Sequence, residues 1–120
     1  MVLDLPGRLE YLVAGGKAGT AMIYVLVRYL VKDYNAWKVA FDASYNIRHN
    51  SGERSFRVFR NPDNPNDITI LLEWDSLESA RRFMTSEWLQ QARQQAGVLG
   101  QAEVHYLADA ALTVRRTAAD

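Results

Sequence analysis

Two strand-like segments of this chain are apolar on both of their faces. The segment AMIYVLVRYLV (21–31) is rich in β-branched and aromatic residues, which is typical of a strand, and both of its alternating sets are largely apolar. The segment DITILLEW (67–74) repeats this pattern, with Ile68, Ile70, Leu72 and Trp74 on one side and Thr69, Leu71 and Glu73 on the other. Strands that are apolar on both faces are buried on both faces. The chain therefore has to cover both sides of its sheet.

The remaining segments predict a regular succession of helices and strands. Asp33 is the predicted N-cap of a helix of about four turns, whose aromatic residues recur every three or four positions before Gly52 ends it. The strands 53–60 and 67–74 flank NPDNPN, whose prolines and asparagines predict a hairpin loop. Asp75 or Ser76 is expected to cap a second helix, with Glu78 completing a capping box from Asp75. Thr85-Ser86 precedes a further helical piece, and AEVHYLA (102–108) is the last predicted strand.

The order β-α-β, β-α-β predicts an α+β fold of the ferredoxin-like split βαβ type. Right-handed crossovers give a four-stranded antiparallel sheet in the order 4-1-3-2, with all helices on one face. We expect an N-terminal extension or linker at 1–20, the domain at 21–108 and a C-terminal tail at 109–120.

The second face of the sheet is expected to be covered by a second copy of the chain, giving a homodimer. Burial of five apolar side chains, at roughly 1.5–3 kcal/mol each, favours association by on the order of 10 kcal/mol before its entropic costs. The alternative is that the N-terminal segment folds back over this face.

Composition excludes several classes of partner. Fourteen basic residues balance fourteen acidic ones, so no net field attracts nucleic acid or an anionic membrane. The chain has no cysteine, which excludes disulfides and thiolate metal sites, and with two histidines we expect no metal site. The longest apolar run, 21–27, is far below the roughly 20 residues of a membrane span. Without a signal-peptide pattern, a cytoplasmic location is expected.

Three stretches carry a resemblance to a known family: LVRYLVKDYNAWKVAFD, RVFRNPDNPNDITILLEWDSLESARRFMTS and EVHYL. Together they resemble the dimeric α+β barrel superfamily, and within it the antibiotic biosynthesis monooxygenase type of domain, over about 21–108. The resemblance implies a homodimer with a small apolar cavity between sheet and helices in each subunit. It also implies an oxygenase that works without a cofactor, with Trp74 in the pocket. No haem is expected, because haem-degrading relatives need a histidine on the later helix and QQARQQAG (90–97) has none.

Six side chains are candidates for a site. His105 would be a general base near neutrality, and Arg28, if buried, needs a carboxylate such as Glu73 or a ligand anion. Substrate binding is assigned to the remaining four: Trp74, His49, Arg93 and Tyr45. Each also has a structural interpretation, as a core residue, a helix-terminal cation or an interface residue.

The resulting hypothesis is a homodimeric monooxygenase or isomerase without cofactor or metal, acting on an aromatic or polyketide-like molecule. The alternative is a non-catalytic dimer of the same fold that binds a small apolar molecule or serves as an interaction module.

Overall fold

The computed structural model describes residues 22–111, which form one sheet with helices packed on it. The elements follow in this order: β1 (Ile23–Val31), α1 (Tyr34–Ala43), α2 (Tyr45–Ser51), β2 (Glu53–Asn61), β3 (Asn64–Trp74), α3 (Leu77–Met84), α4 (Glu87–Gln95) and β4 (Val98–Ala108). The expected extension at 1–20 lies outside the described residues, as does most of the expected tail. Between residues 22 and 111, no helix is long and apolar enough to cross a membrane.

The four strands form an antiparallel sheet in the order β2-β3-β1-β4, which confirms the predicted order and the ferredoxin-like fold. The central strand β1 pairs with β3, so that Val27 lies opposite Ile70, and on its other side with β4, so that Val27 lies opposite Val104. The second strand β2 pairs with β3 and forms the other edge of the sheet.

The core lies between the helices and one face of the sheet. On β1 this face consists of Val25, Val27, Tyr29 and Val31, all buried. Four buried residues of β3 continue it, namely Ile68, Ile70, Leu72 and Trp74. The helices cover this face with Trp37, Phe41, Ala80, Phe83 and Met84. Burial of each large side chain contributes roughly 1.5–3 kcal/mol, so this face stabilises the fold.

The opposite face of the sheet, here called the open face, is apolar but exposed among the described residues. Leu26 and Leu71 face each other across β1 and β3 and are half-buried. Further out, Leu30, Phe59 and Leu107 are 40–45% exposed. The alternation seen in the sequence is therefore real, but helices cover only one of the two apolar faces.

The prediction of one helix between Asp33 and Gly52 was wrong, because the chain forms two helices that meet at Ser44. Asp33 caps α1 as predicted, its carboxylate accepting from the amide of Ala36 at 2.9 Å. At Ser44 the hydroxyl donates to the carbonyl oxygen of Phe41 at 2.8 Å. A serine hydroxyl that bonds a carbonyl of the preceding turn competes with the helical backbone, and the axis changes there.

The second pair of helices begins at serine caps. The Ser76 hydroxyl accepts from the amide of Ser79 at 3.1 Å, and the Ser86 hydroxyl accepts from the amide of Leu89 at 3.2 Å. The capping box from Asp75 to Glu78 does not form, since Asp75 accepts from the Ser79 hydroxyl and Glu78 pairs with Arg82.

Candidate functional site

A cavity of about 300 Å³ lies between the helices and the core face of the sheet. Its walls are mostly aromatic and small apolar side chains, and we call it the aromatic cavity. The larger side chains that line it include Tyr29, Trp37, Phe41, Arg48, Phe83, Trp88 and Arg93. A volume near the lower end of the 300–1,000 Å³ range of ligand pockets suits a small molecule.

Tyr29 presents a hydroxyl group to this cavity from β1. Trp37 on α1 donates its indole N–H to the Tyr29 oxygen at 2.9 Å, which leaves the hydroxyl hydrogen of Tyr29 available to a ligand. Burial raises the pKa of Tyr29, although the Trp37 hydrogen bond and the charges of Arg93 and Arg48 oppose this shift. Tyr29 therefore stays protonated at neutral pH and acts as a hydrogen-bond donor.

Arg93 on α4 supplies a positive charge to the same cavity. Its guanidinium carbon lies 5.7 Å from the centre of the Tyr29 ring, and Nη2 lies 3.8 Å from the Met84 sulfur. It forms no ion pair with any residue between 22 and 111. Burial lowers the pKa of Arg93, yet an arginine starts so far above neutrality that it remains charged. The described part of the cavity thus contains an uncompensated cation.

Arg48 also lines the cavity, but its charge is neutralised. Its Nε donates to Glu53 at 2.6 Å, and its Nη1 donates to the carbonyl oxygen of Phe41 and the hydroxyl of Ser44. The guanidinium lies 3.8 Å over the Phe41 ring. Both members of the ion pair are almost fully buried, and burial raises the pKa of Glu53 against the opposing effect of Arg48. This pair fixes the floor of the cavity where α1 and α2 meet.

Of the six residues proposed from the sequence, Arg93 lies in the aromatic cavity. Trp74 is fully buried in the core and does not line this cavity. Its ring packs at 5.3 Å against Phe83, which does line the cavity, so Trp74 forms a second layer behind the wall. The indole N–H of Trp74 has no hydrogen-bond partner among the described residues.

Arg28 and His105 lie on the open face, on the far side of the sheet from the cavity. Arg28 is exposed rather than buried, and it makes two hydrogen bonds to Asp67, at 2.8 and 3.1 Å. Glu73, the partner considered from the sequence, instead accepts from Ser55. His105 pairs with Glu103 at 3.0 Å.

Tyr45 and His49 stack on each other on the exposed side of α2, with ring centres 5.7 Å apart. Neither lines the aromatic cavity. The structure therefore separates the six candidates into one cavity residue, one second-layer residue and four residues on two exposed surfaces.

The sequence contains a signal for Arg48 that lies outside its motifs. Trp37, Phe41, Ser44 and Arg48 follow one another at intervals of four, three and four residues, so a charged residue continues the buried side of a helical segment. A charge at a core position needs a partner, and Glu53 follows only five residues later. Tyr29 carried no comparable signal, because tyrosine is common in strands.

Within residues 22–111, no cluster of three histidine, aspartate or glutamate side chains could hold a metal ion. In the same part of the chain, the side chains that line the aromatic cavity include no carboxylate and no imidazole.

The fold and the position of this cavity place the structure in the α+β barrel class. The family model for antibiotic biosynthesis monooxygenase matches residues 22–95, and the chain belongs to that family. No curated protein matches the sequence significantly.

Several solved structures share the fold. A Bordetella bronchiseptica protein named for the same family is 15% identical, with a TM-score of 0.65 over 76% of this chain and 99% of that one. A conserved protein from Methanosarcina mazei is 16% identical, with a TM-score of 0.60 over 74% and 93% of the chains. SnoaB, a cofactor-independent oxygenase from Streptomyces nogalater, is 14% identical, with a TM-score of 0.58 over 83% and 99%. At these identities the likeness shows the fold alone.

Proposed function

We propose that the aromatic cavity binds a small aromatic molecule that ionises to an oxyanion, such as an enolate or a phenolate, and that the protein oxidises this molecule with O₂ as a cofactor-independent monooxygenase. The observation that carries the proposal is the Arg93 guanidinium, which has no ion-pair partner among residues 22–111 and lies 5.7 Å from the centre of the Tyr29 ring in a cavity with aromatic walls. A cation and a neutral hydrogen-bond donor that line the same cavity suit an oxygen that carries negative charge.

The chemistry requires a substrate that becomes an electron-rich anion. In an anthrone, loss of one proton from the ring methylene gives an enolate whose oxygen would accept hydrogen bonds from Arg93 and Tyr29. The enolate carbon transfers one electron to O₂, the resulting radical pair combines to a peroxide anion, and this anion takes up the proton released earlier to give a hydroperoxide. Loss of water from the hydroperoxide gives the quinone carbonyl. One O₂ is consumed, with one oxygen atom retained in the quinone and the other released as water.

The absence of a base from the cavity lining has a kinetic consequence. Tyr29 stays protonated, and among residues 22–111 no histidine or carboxylate lines the cavity to remove the substrate proton. In the proposed mechanism the substrate ionises in water or on entering the site, where Arg93 lowers the pKa of the substrate by stabilising the anion. We therefore expect turnover to rise with pH in parallel with ionisation of the substrate.

The same absence favours the second candidate function, a binding protein without catalysis. In that case the cavity would hold an aromatic anion such as a carboxylate or a phenolate, and O₂ would not be consumed. Membership of the family and the likeness to SnoaB support the oxygenase, whereas the lining without an acid–base pair supports the binding protein.

The test uses dithranol, an anthrone, as the probe substrate. Oxygen uptake and formation of the anthraquinone are followed with the wild type, with Arg93→Gln and with Arg82→Gln as the matched control. Arg82 pairs only with Glu78 on an exposed turn of α3, so its replacement should leave the rate unchanged. Arg93→Gln should reduce kcat/KM by about tenfold to a hundredfold, the effect of losing a charged hydrogen bond.

The outcomes distinguish the two functions. If dithranol and its quinone bind with Arg93 dependence and no oxygen is consumed, the binding protein is correct. If Arg93→Gln changes neither binding nor rate, the aromatic cavity is not the site.

We further propose that two copies associate through the open face. Leu26, Leu71 and their exposed apolar neighbours form a continuous surface there, and covering it removes apolar area from water. Arg28 and His105, which lie on this face, would then meet the second copy rather than the substrate.

A further inference from the structure

Helix α4 separates the aromatic cavity from a second, larger space. This space, here called the glutamine groove, measures about 520 Å³ and lies between α4 and the core-facing side of β4. No residue of α4 is buried, although the helix packs over the sheet. The helix contacts the core through the partly buried Leu89 and stands between the two spaces.

The groove has a mixed lining in which four glutamines stand out. Gln90, Gln91 and Gln94 line it from α4, and Gln101 lines it from β4, beside apolar residues of β4 and the charged side chains of Glu87 and Arg93. A primary amide offers two N–H donors and one acceptor without net charge. Four such groups in one groove match a ligand group that both donates and accepts hydrogen bonds, which is the property of hydroxyl groups. The aromatic cavity has mostly aromatic and small apolar side chains instead.

Arg93 belongs to the walls of both spaces. The centre of the Tyr29 ring lies 5.7 Å from its guanidinium carbon on the cavity side, and Tyr106 lines the groove together with Arg93. A guanidinium has five N–H donors in one plane. Arg93 is thus able to bind an oxyanion in the cavity with some of these donors and a hydroxyl group in the groove with others.

We infer that the natural ligand is longer than the aromatic cavity and extends past Arg93 into the glutamine groove. This inference rests on the proposed function of the cavity and specifies its ligand class. The ligand consists of an acidic aromatic part, bound in the cavity as its anion, and a neutral substituent with several hydroxyl groups, such as a sugar, bound by the glutamines. Gln90 and Gln94, one helical turn apart, select this substituent.

The experiment compares two probes that differ only in this substituent. Danthron is an acidic dihydroxyanthraquinone, and its mono-glucoside retains one acidic hydroxyl group while adding a sugar. Both are titrated into the full chain by calorimetry. The variants are Gln90→Leu combined with Gln94→Leu, the single variant Gln91→Ala, and Asn46→Leu as a control on the exposed side of α2. Thermal melts confirm folding, which exposed substitutions should preserve.

The expected result is that the glucoside binds the wild type about tenfold more tightly than danthron, the effect of two neutral hydrogen bonds. The Gln90/Gln94 double variant should lose this advantage while its affinity for danthron stays within about twofold, and Asn46→Leu should change neither. If the two probes bind with equal affinity and the glutamine variants change neither affinity, the proposed role of the glutamine groove is wrong, while the proposed function of the aromatic cavity still stands. If neither probe binds the wild type, both proposals fail.

Discussion

Replacement of Arg48 by methionine should destabilise the protein severely, because it leaves Glu53 as a buried carboxylate without its donor. The two side chains are 4% and 2% exposed, and the hydrogen bond between them is 2.6 Å long. Removing one partner of a buried ion pair costs about 3–5 kcal/mol. The free energy of unfolding of a small domain is about 5–15 kcal/mol, so this loss is a large fraction of the total.

A double-mutant cycle separates the pair from its surroundings. Glu53→Leu alone should also cost about 3–5 kcal/mol, since it leaves the buried guanidinium without its carboxylate. The double variant Arg48→Met with Glu53→Leu replaces both charges by apolar groups and should cost less than either single change. Unfolding in urea, followed by tryptophan fluorescence, gives the free energies.

The surface pair Arg54–Asp75 serves as the matched control for this cycle. Its side chains are 37% and 41% exposed at a separation of 3.1 Å, so Arg54→Met should cost at most about 1 kcal/mol. If the costs of the Arg48 and Glu53 changes are simply additive, or if Arg48→Met costs as little as Arg54→Met, the reasoning about the buried pair is refuted.

Three further predictions concern other parts of the structure. Trp37→Phe removes the hydrogen bond to Tyr29, which opposes the rise of the Tyr29 pKa, so this pKa should rise further in an ultraviolet titration. The free energy of unfolding should fall by about 1 kcal/mol or more. An unchanged pKa of Tyr29 would contradict this prediction. Leu26→Arg should convert a dimer into a monomer in light scattering, and a wild type that is already monomeric rules out the open-face dimer. The hydrogen bond from Arg28 lowers the pKa of Asp67 below its usual 3.8. The stabilisation from this pair is therefore complete above pH 3.8 and is lost as the pH falls through the folded-state pKa of Asp67. Asp67→Asn should remove this part of the acid dependence of urea unfolding, and an acid profile identical to that of the wild type would contradict the assignment.

The sheet was predictable because its strands are rich in β-branched and aromatic residues and alternate between two apolar faces. The same parity that places Val25 and Ile70 in the core places Leu26 and Leu71 on the open face, and the turn residues between the strands limit the possible orders. The break between α1 and α2 was not predictable from periodicity, because the aromatic spacing continues across Ser44. The break depends on the hydrogen bonds that the Phe41 carbonyl oxygen accepts from the Ser44 hydroxyl and the Arg48 guanidinium. These hydrogen bonds are a property of the folded chain.

The site was predictable only where a residue type is rare in its segment. Arg93 is the one charged side chain in QQARQQAG, and the structure places it in the cavity. Trp74, placed in the pocket by resemblance, lies one layer further back because Phe83 stands in front of it. Whether an aromatic side chain lines a cavity or is buried in the core depends on its neighbours in space. The sequence pattern does not specify these neighbours.

The weak packing of α4 affects the free energy with which any ligand binds. No residue of α4 is fully buried, and the helix contacts the core through the partly buried Leu89 and through Trp88, which packs on Phe83. The helix therefore has fewer contacts to lose on opening than the buried strand β1, and it is followed by Gly97 and Gly100, both with left-handed backbone angles. Its amide hydrogens should exchange with solvent faster than those of β1, through local unfolding rather than global unfolding. A ligand that binds only when α4 is closed uses part of its binding free energy to keep the helix closed. Ligand binding should therefore slow the exchange of these amide hydrogens, and the degree of slowing measures occupancy of the cavity without any chemical turnover.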